Sequence, residues 1–141
     1  MPVGNMRALL HVEDDDAMAT VIRAAVDEAA IDVNLFRVSG GAQALGYLRG
    51  EAPYVGSARP DLVFLDLHMA GMDGWQVLAE IRADESLRSI PVVVLSTSRL
   101  EADRDRAYTL GARRFVTKPA SFRLLIAEVE SAYRALAAES A

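Results

Sequence analysis

The stretch "DLVFLDLHMAGMDG", residues 61–74, carries the first decision about the fold. Residues 61–66 are an apolar run between two aspartates, the pattern of a parallel strand buried on both faces. "HMAGMDG" then interrupts it, because glycine and aspartate favour a turn over a strand. Across residues 72–85, Val77, Leu78 and Ile81 recur with helical spacing, which predicts a helix with one apolar face. Strand, turn and helix make one βα unit. Its odd feature is Asp66, an acid placed last in a strand that otherwise excludes charge.

The same unit recurs outward in both directions. "MRALLHV" (6–12), "DVNLFRV" (32–38), "IPVVVLS" (90–96) and "RRFVTKP" (113–119) read as the other strands. A helix from Asp16 onward places Met18, Val21, Ile22, Ala25, Val26 and Ala29 on one face. "SGGAQALGYLRG" (39–50) is a short helix with Ala42, Leu45 and Leu48 inward, and "EAPYVGSARP" (51–60) is a loop. "LEADRDRAYTLGA" (100–112) is a charged helix with a sparse apolar face, expected to be the least firmly packed element. In the last helix, Phe122, Leu125, Ile126, Val129, Ala132, Tyr133 and Leu136 keep helical phase. Five βα units predict an α/β fold with a doubly wound parallel sheet. One domain is expected over 1–141, with its core at about 6–138 and no output domain.

Composition narrows the function. A net charge of −5 and a pI near 5.0 disfavour a nucleic-acid duplex or an anionic membrane as partner. With no cysteine there is neither a disulfide framework nor a thiolate metal site. The start has no charged segment followed by a long apolar core, and no apolar run could span a bilayer. A cytoplasmic protein is expected.

In an open parallel sheet, ligands bind outside the carboxyl ends of the strands. Those ends present Glu13 and Asp14, then Asp66, Ser96 and Lys118, while the second strand offers nothing chemical. Carboxylates about 4 Å apart repel by roughly 4 kcal/mol at an effective dielectric near 20, so gathering three of them calls for a cation. Oxygen ligands without histidine or cysteine at metal spacing favour Mg²⁺ over zinc. A carboxylate beside a divalent cation, a hydroxyl and an ammonium is equipped to receive a phosphoryl group, with Asp66 as nucleophile.

Taken together, "LLHVEDD", "VFLDLHMAGMDG", "IPVVVLSTS" and "RRFVTKP" resemble the receiver domain of two-component response regulators over essentially the whole chain. The spacing also matches that family: thirty residues from Asp66 to Ser96 and twenty-two from Ser96 to Lys118. The resemblance implies a flavodoxin-like strand order, 2-1-3-4-5. It implies that Asp14 and Asp66 ligate Mg²⁺, that Glu13 acts through a bound water, and that the backbone carbonyl of His68 completes the set. Asp66 would take phosphate from a sensor histidine kinase, with Ser96 and Lys118 holding the phosphoryl oxygens. Ser96 and Phe115 would form the switch, His68 and Ser98 would tune dephosphorylation, and Lys118–Pro119 would be cis. The loop at 51–60 and the "LSTS" turn resemble small receivers paired with bacterial and cyanobacterial phytochrome kinases. Those commonly form homodimers through the fourth helix, fifth strand and fifth helix.

Other readings stand beside this one. A Mg²⁺-dependent phosphohydrolase would use the same nucleophile, but His68 stands where a second acid is usual. A flavin module would present hydroxyls in the first loop, whereas this one presents "EDDD". A phosphate sink with no output partner shares every residue of the signalling reading. Among the acids, Asp16 reads as a helix cap and Asp15 as capping or solvated. Trp75, out of phase with its helix's inward face, reads as a rim or partner contact, with a packed role close behind. Met18 and Val21 lie near the helix face where a kinase would dock in that family.

Overall fold

The computed structural model describes residues 6–140. Five parallel strands, β1 (Ala8–Val12), β2 (Asn34–Val38), β3 (Leu62–Asp66), β4 (Val92–Ser96) and β5 (Arg114–Thr117), form one sheet in the order β2-β1-β3-β4-β5. Five helices alternate with them: α1 (Asp16–Glu28), α2 (Gly41–Leu48), α3 (Gly74–Ala83), α4 (Glu101–Thr109) and α5 (Phe122–Ser140). This is the expected doubly wound order, and its reversal point lies at β1 and β3, whose ends carry the acids.

Strand residues alternate between the two faces. Leu10, Val12, Val63, Leu65, Val92 and Val94 pack with α2 and α3, and α4 adds Ala107. Leu9, Leu62, Phe64, Val93, Leu95 and Val116 pack with α1 and α5. Because β3 and β4 are covered on both sides, every residue in them is buried, which is why both read as unbroken apolar runs. The helix α4 buries only Ala107 of its own residues, in keeping with its sparse apolar face.

Three helical residues sit elsewhere than their spacing predicts. Val21 is 38% exposed, because the sheet-facing row of α1 runs through Ala19, Ile22, Ala25 and Val26. Ala42 is exposed because Gly41, Ala44, Leu45 and Leu48 take the inward row of α2. Phe122 is the first residue of α5 and is 43% exposed. The cis peptide is also elsewhere: it falls at Ala52–Pro53, and Lys118–Pro119 keeps the lower-energy trans form. The Lys118 N–H donates to the Ser96 carbonyl at 2.7 Å, extending the β4–β5 pairing to the site.

His11 is fully buried in β1, and neither ring nitrogen has a partner. Burial, then the positive charges of Lys118, Arg37 and Arg23, lower its pKa to about 3. The imidazole is therefore neutral in the folded chain but takes a proton below about 6.5 when unfolded. Stability from this site falls as pH drops from about 6.5 toward 3, by about 1.4 kcal/mol per unit. His11→Phe removes that contribution. Denaturant unfolding at pH 7 and pH 5 will show the variant losing about 2 kcal/mol less than wild type; equal losses would mean that His11 titrates normally.

Candidate functional site

The strand ends converge as their order requires. Loop residues Glu13 and Asp14 follow β1, Asp66 closes β3, Ser96 closes β4, and Lys118 lies just beyond β5. One carboxylate oxygen each from Glu13, Asp14 and Asp66 lies within 4.8 Å of the others. Glu13 and Asp66 are buried and Asp14 is exposed, so the cluster opens to solvent on one side. Lys118 Nζ is 3.2 Å from Glu13 Oε1 and 3.8 Å from Asp66 Oδ1, with its side chain 8% exposed.

Charge balance here is incomplete. Burial pushes the Glu13 carboxyl up to about 7; Lys118 opposes this, while the hydrogen bond and the charge of Asp66 add to it. One ammonium thus faces two buried carboxyls, with the exposed Asp14 beside them. The backbone supplies partial compensation: Ala70 N–H donates to Asp14 Oδ2 at 3.1 Å, and His68 N–H to Asp66 Oδ1 at 3.4 Å. A small divalent cation fits this all-oxygen, electron-rich set.

The hydroxyl side is bonded into the next helix. Ser96 is buried, and its Oγ accepts the Ser98 N–H at 3.1 Å. Ser98 Oγ accepts the Leu100 N–H and donates to Asp103 Oδ2 at 2.6 Å, at the start of α4. Thr117 Oγ1 donates to the Ser98 carbonyl at 2.9 Å. Phe115 is 6% exposed, with the Arg104 guanidinium 5.4 Å from its ring centroid. Its N–H donates to the Tyr108 hydroxyl.

Three features were missed or misplaced in the sequence. The second strand does contribute: Arg37 Nε and Nη2 donate to the Glu13 carbonyl at 2.9 and 2.7 Å, and its Nη1 to Asp16 Oδ1 at 2.7 Å. An arginine one residue before the strand's carboxyl end was the available signal. The cap of α1 is Asp15, accepting from the Ala17 and Met18 N–H groups, whereas Asp16 is the first helical residue and pairs with Arg37. Gly74, which opens α3, leaves no room for a side chain: a Cβ there would lie 2.3 Å from the Asp66 carbonyl oxygen and 2.6 Å from Leu67 Cα. Trp75 is half-buried against the core with Arg106 stacked 4.2 Å from its ring centroid, so its packed role is realised.

The doubly wound sheet with three acids, a hydroxyl and a lysine at its carboxyl end defines a receiver module, and residues 9–130 match the response regulator receiver domain, the family to which the chain belongs. Within it, the similarity runs to phytochrome response regulators. Response regulator Rcp1 of Synechocystis sp. is 35% identical over 88% of this chain and 84% of its own length. The phosphorylated cyanobacterial phytochrome response regulator RcpA superposes with a TM-score of 0.83 at 38% identity, covering 91% of each chain. The Mn²⁺-bound form of Rcp1 superposes with a TM-score of 0.80 at 34% identity, over 89% of this chain and 90% of that one.

Proposed function

We propose that Asp66 accepts a phosphoryl group from the phosphohistidine of a sensor histidine kinase of the phytochrome type, and that the acylphosphate changes the surface a downstream protein reads. The observation that carries this reading is the convergence of Glu13, Asp14 and Asp66 oxygens within 4.8 Å, with Lys118 3.8 Å from Asp66. In the transfer, an Asp66 carboxylate oxygen forms a bond to phosphorus as the phosphorus–nitrogen bond of the donor breaks. Lys118 pairs with one phosphoryl oxygen and the Ser96 hydroxyl donates to another. Asp14, Asp66, the His68 carbonyl and, through water, Glu13 would hold Mg²⁺, which supplies positive charge to the remaining phosphoryl oxygens.

The switch follows from the bonds Ser96 already makes. Turning its hydroxyl toward a phosphoryl group gives up the Ser98 N–H, which loosens the Ser98–Asp103 link to α4. Phe115, which has no hydroxyl of its own, would respond through packing against Arg104. His68 and Ser98 would set the lifetime of the phosphorylated state by controlling the attacking water. The surface of α4, β5 and α5 is the proposed homodimer contact; light scattering that finds only monomer, with and without a phosphate mimic, would remove it. No helix among the described residues is long and apolar enough to cross a membrane, and a cytoplasmic location is part of the proposal.

The test uses acetyl phosphate as donor. With Mg²⁺ the intact chain gains one phosphoryl mass, and with a chelator it gains none; no gain with Mg²⁺, from acetyl phosphate or from a cognate kinase, would reject the reading. Because Glu13 must ionise to serve the cation, and its pKa is about 7, Mg²⁺ binding will be about tenfold weaker at pH 6 than at pH 8 by calorimetry. A pH-independent affinity would place Glu13 outside the site.

A further inference from the structure

We propose that a second site, at the end of the sheet away from Asp66, binds an amphipathic anion: a small carboxylate, sulfonate or phosphate ester carried on an apolar body. A cavity of about 330 Å³ opens between the C-terminal parts of α3 and α4, at the first residues of β4 and β5. Small-molecule sites commonly occupy about 300–1,000 Å³. Leu78, Ile90 and Val92 contribute its apolar wall, and Arg82, Arg88 and Arg113 its polar one. No acidic residue lines it among the described residues.

Three like charges at one cavity, in a chain of net charge −5, need a reason. Arginine beside a helix C-terminus complements the helix dipole. That accounts for Arg82, which lies in the last turn of α3 and donates from Nη1 to the Thr109 carbonyl at 3.0 Å. It does not account for Arg88, which lies in the turn after α3 with its side chain exposed at the cavity. Nor does it account for Arg113, which comes within only 3.9 Å of Glu139, both side chains being about half exposed. Such an exposed pair holds neither group firmly. Guanidinium groups only donate; water meets these exposed ones in the free chain, and an anion that replaces that water gains the field of three like charges. The apolar wall selects an anion with a hydrophobic part over bare phosphate.

The dye anilinonaphthalene sulfonate has that chemistry and reports binding by fluorescence. The 141-residue chain will bind one equivalent saturably. Arg88→Ser and Arg113→Ser will each weaken binding about tenfold, the worth of one charge-assisted hydrogen bond. Arg123→Ser removes the same charge beside the exposed Phe122 and Leu124 and will leave affinity within about twofold. The proposal is overturned by non-saturable binding, by an unchanged affinity in Arg88→Ser, or by an equal loss in Arg123→Ser. Circular dichroism of each variant confirms that it is folded, and the exposed Arg88 can be replaced without opening the core.

Discussion

Lys118→Met will lower the unfolding free energy by about 3 kcal/mol at pH 8 in the absence of divalent cation. The side chains of Lys118, Glu13 and Asp66 are 8%, 2% and 9% exposed, so water cannot replace the lost ammonium. Removing one partner of a buried ion pair costs about 3–5 kcal/mol, because the other charge is left uncompensated. The loss will be smaller at pH 6. Glu13 already has its folded pKa raised to about 7 against an ordinary value of 4.5, so between those limits the folded chain binds more protons than the unfolded one. Its stability therefore falls as pH rises through that window, and protonation at the lower pH relieves the repulsion that Lys118 had been offsetting. Added Mg²⁺ will restore part of the loss at pH 8. Urea unfolding at both pH values, with and without the cation, measures all of this. A change below about 1 kcal/mol at pH 8 would mean that solvent screens the cluster.

Gly74→Ala will be as damaging by a different route. The added methyl would stand 2.3 Å from the Asp66 carbonyl oxygen and 2.6 Å from Leu67 Cα. Both are backbone atoms, so no side-chain rotation relieves the clash. Overpacking costs about 1–3 kcal/mol where side chains can yield, and here the upper end is expected. The relief would come from moving the β3–α3 turn, which carries Asp66. Phosphoryl uptake from acetyl phosphate should therefore fall more than tenfold, beyond what lost stability explains. Gly46→Ala, within α2, is the matched control: the nearest atom to its added methyl is on the Tyr54 ring, 3.8 Å away. That variant should gain about 0.5–1 kcal/mol, since alanine suits a helix interior better than glycine. If Gly74→Ala is tolerated as well as Gly46→Ala, the close approach of the two backbones does not hold Asp66 in place.

What was legible in the sequence follows from what each signal depends on. The strands β3 and β4 declared themselves because burial on both faces forbids polar residues along their length, which makes Asp66 and Ser96 conspicuous at their ends. The meeting of Glu13, Asp14, Asp66, Ser96 and Lys118 at one end of the sheet could then be read from topology alone. Helix phase was less secure where alanines dominate. Ala42 stands one position from the inward Gly41, and small side chains discriminate weakly between the two; Val21 lies beside the inward Ile22, at the edge of an apolar stripe wider than the buried row. Adjacent acids raise the same difficulty: Asp15 and Asp16 are equally good caps by residue type, and in the folded chain Asp15 takes the helix N–H groups while Asp16 pairs with Arg37 of the neighbouring strand. Contacts between distant backbones leave no local signature. The role of Gly74 is of this kind, as are the unpartnered ring nitrogens of His11.

In the proposed reaction phosphorus ends on Asp66 and nowhere else. Incubating the wild-type chain and Asp66→Asn with a phosphorylated histidine kinase and Mg²⁺, and weighing each intact, tests it directly. Wild type should gain a single phosphoryl mass, lost on treatment with hydroxylamine as an acylphosphate is, and Asp66→Asn should gain none. A phosphoryl group on the Asn variant, or an adduct on wild type that resists hydroxylamine, would mean that Asp66 is not the phosphoacceptor.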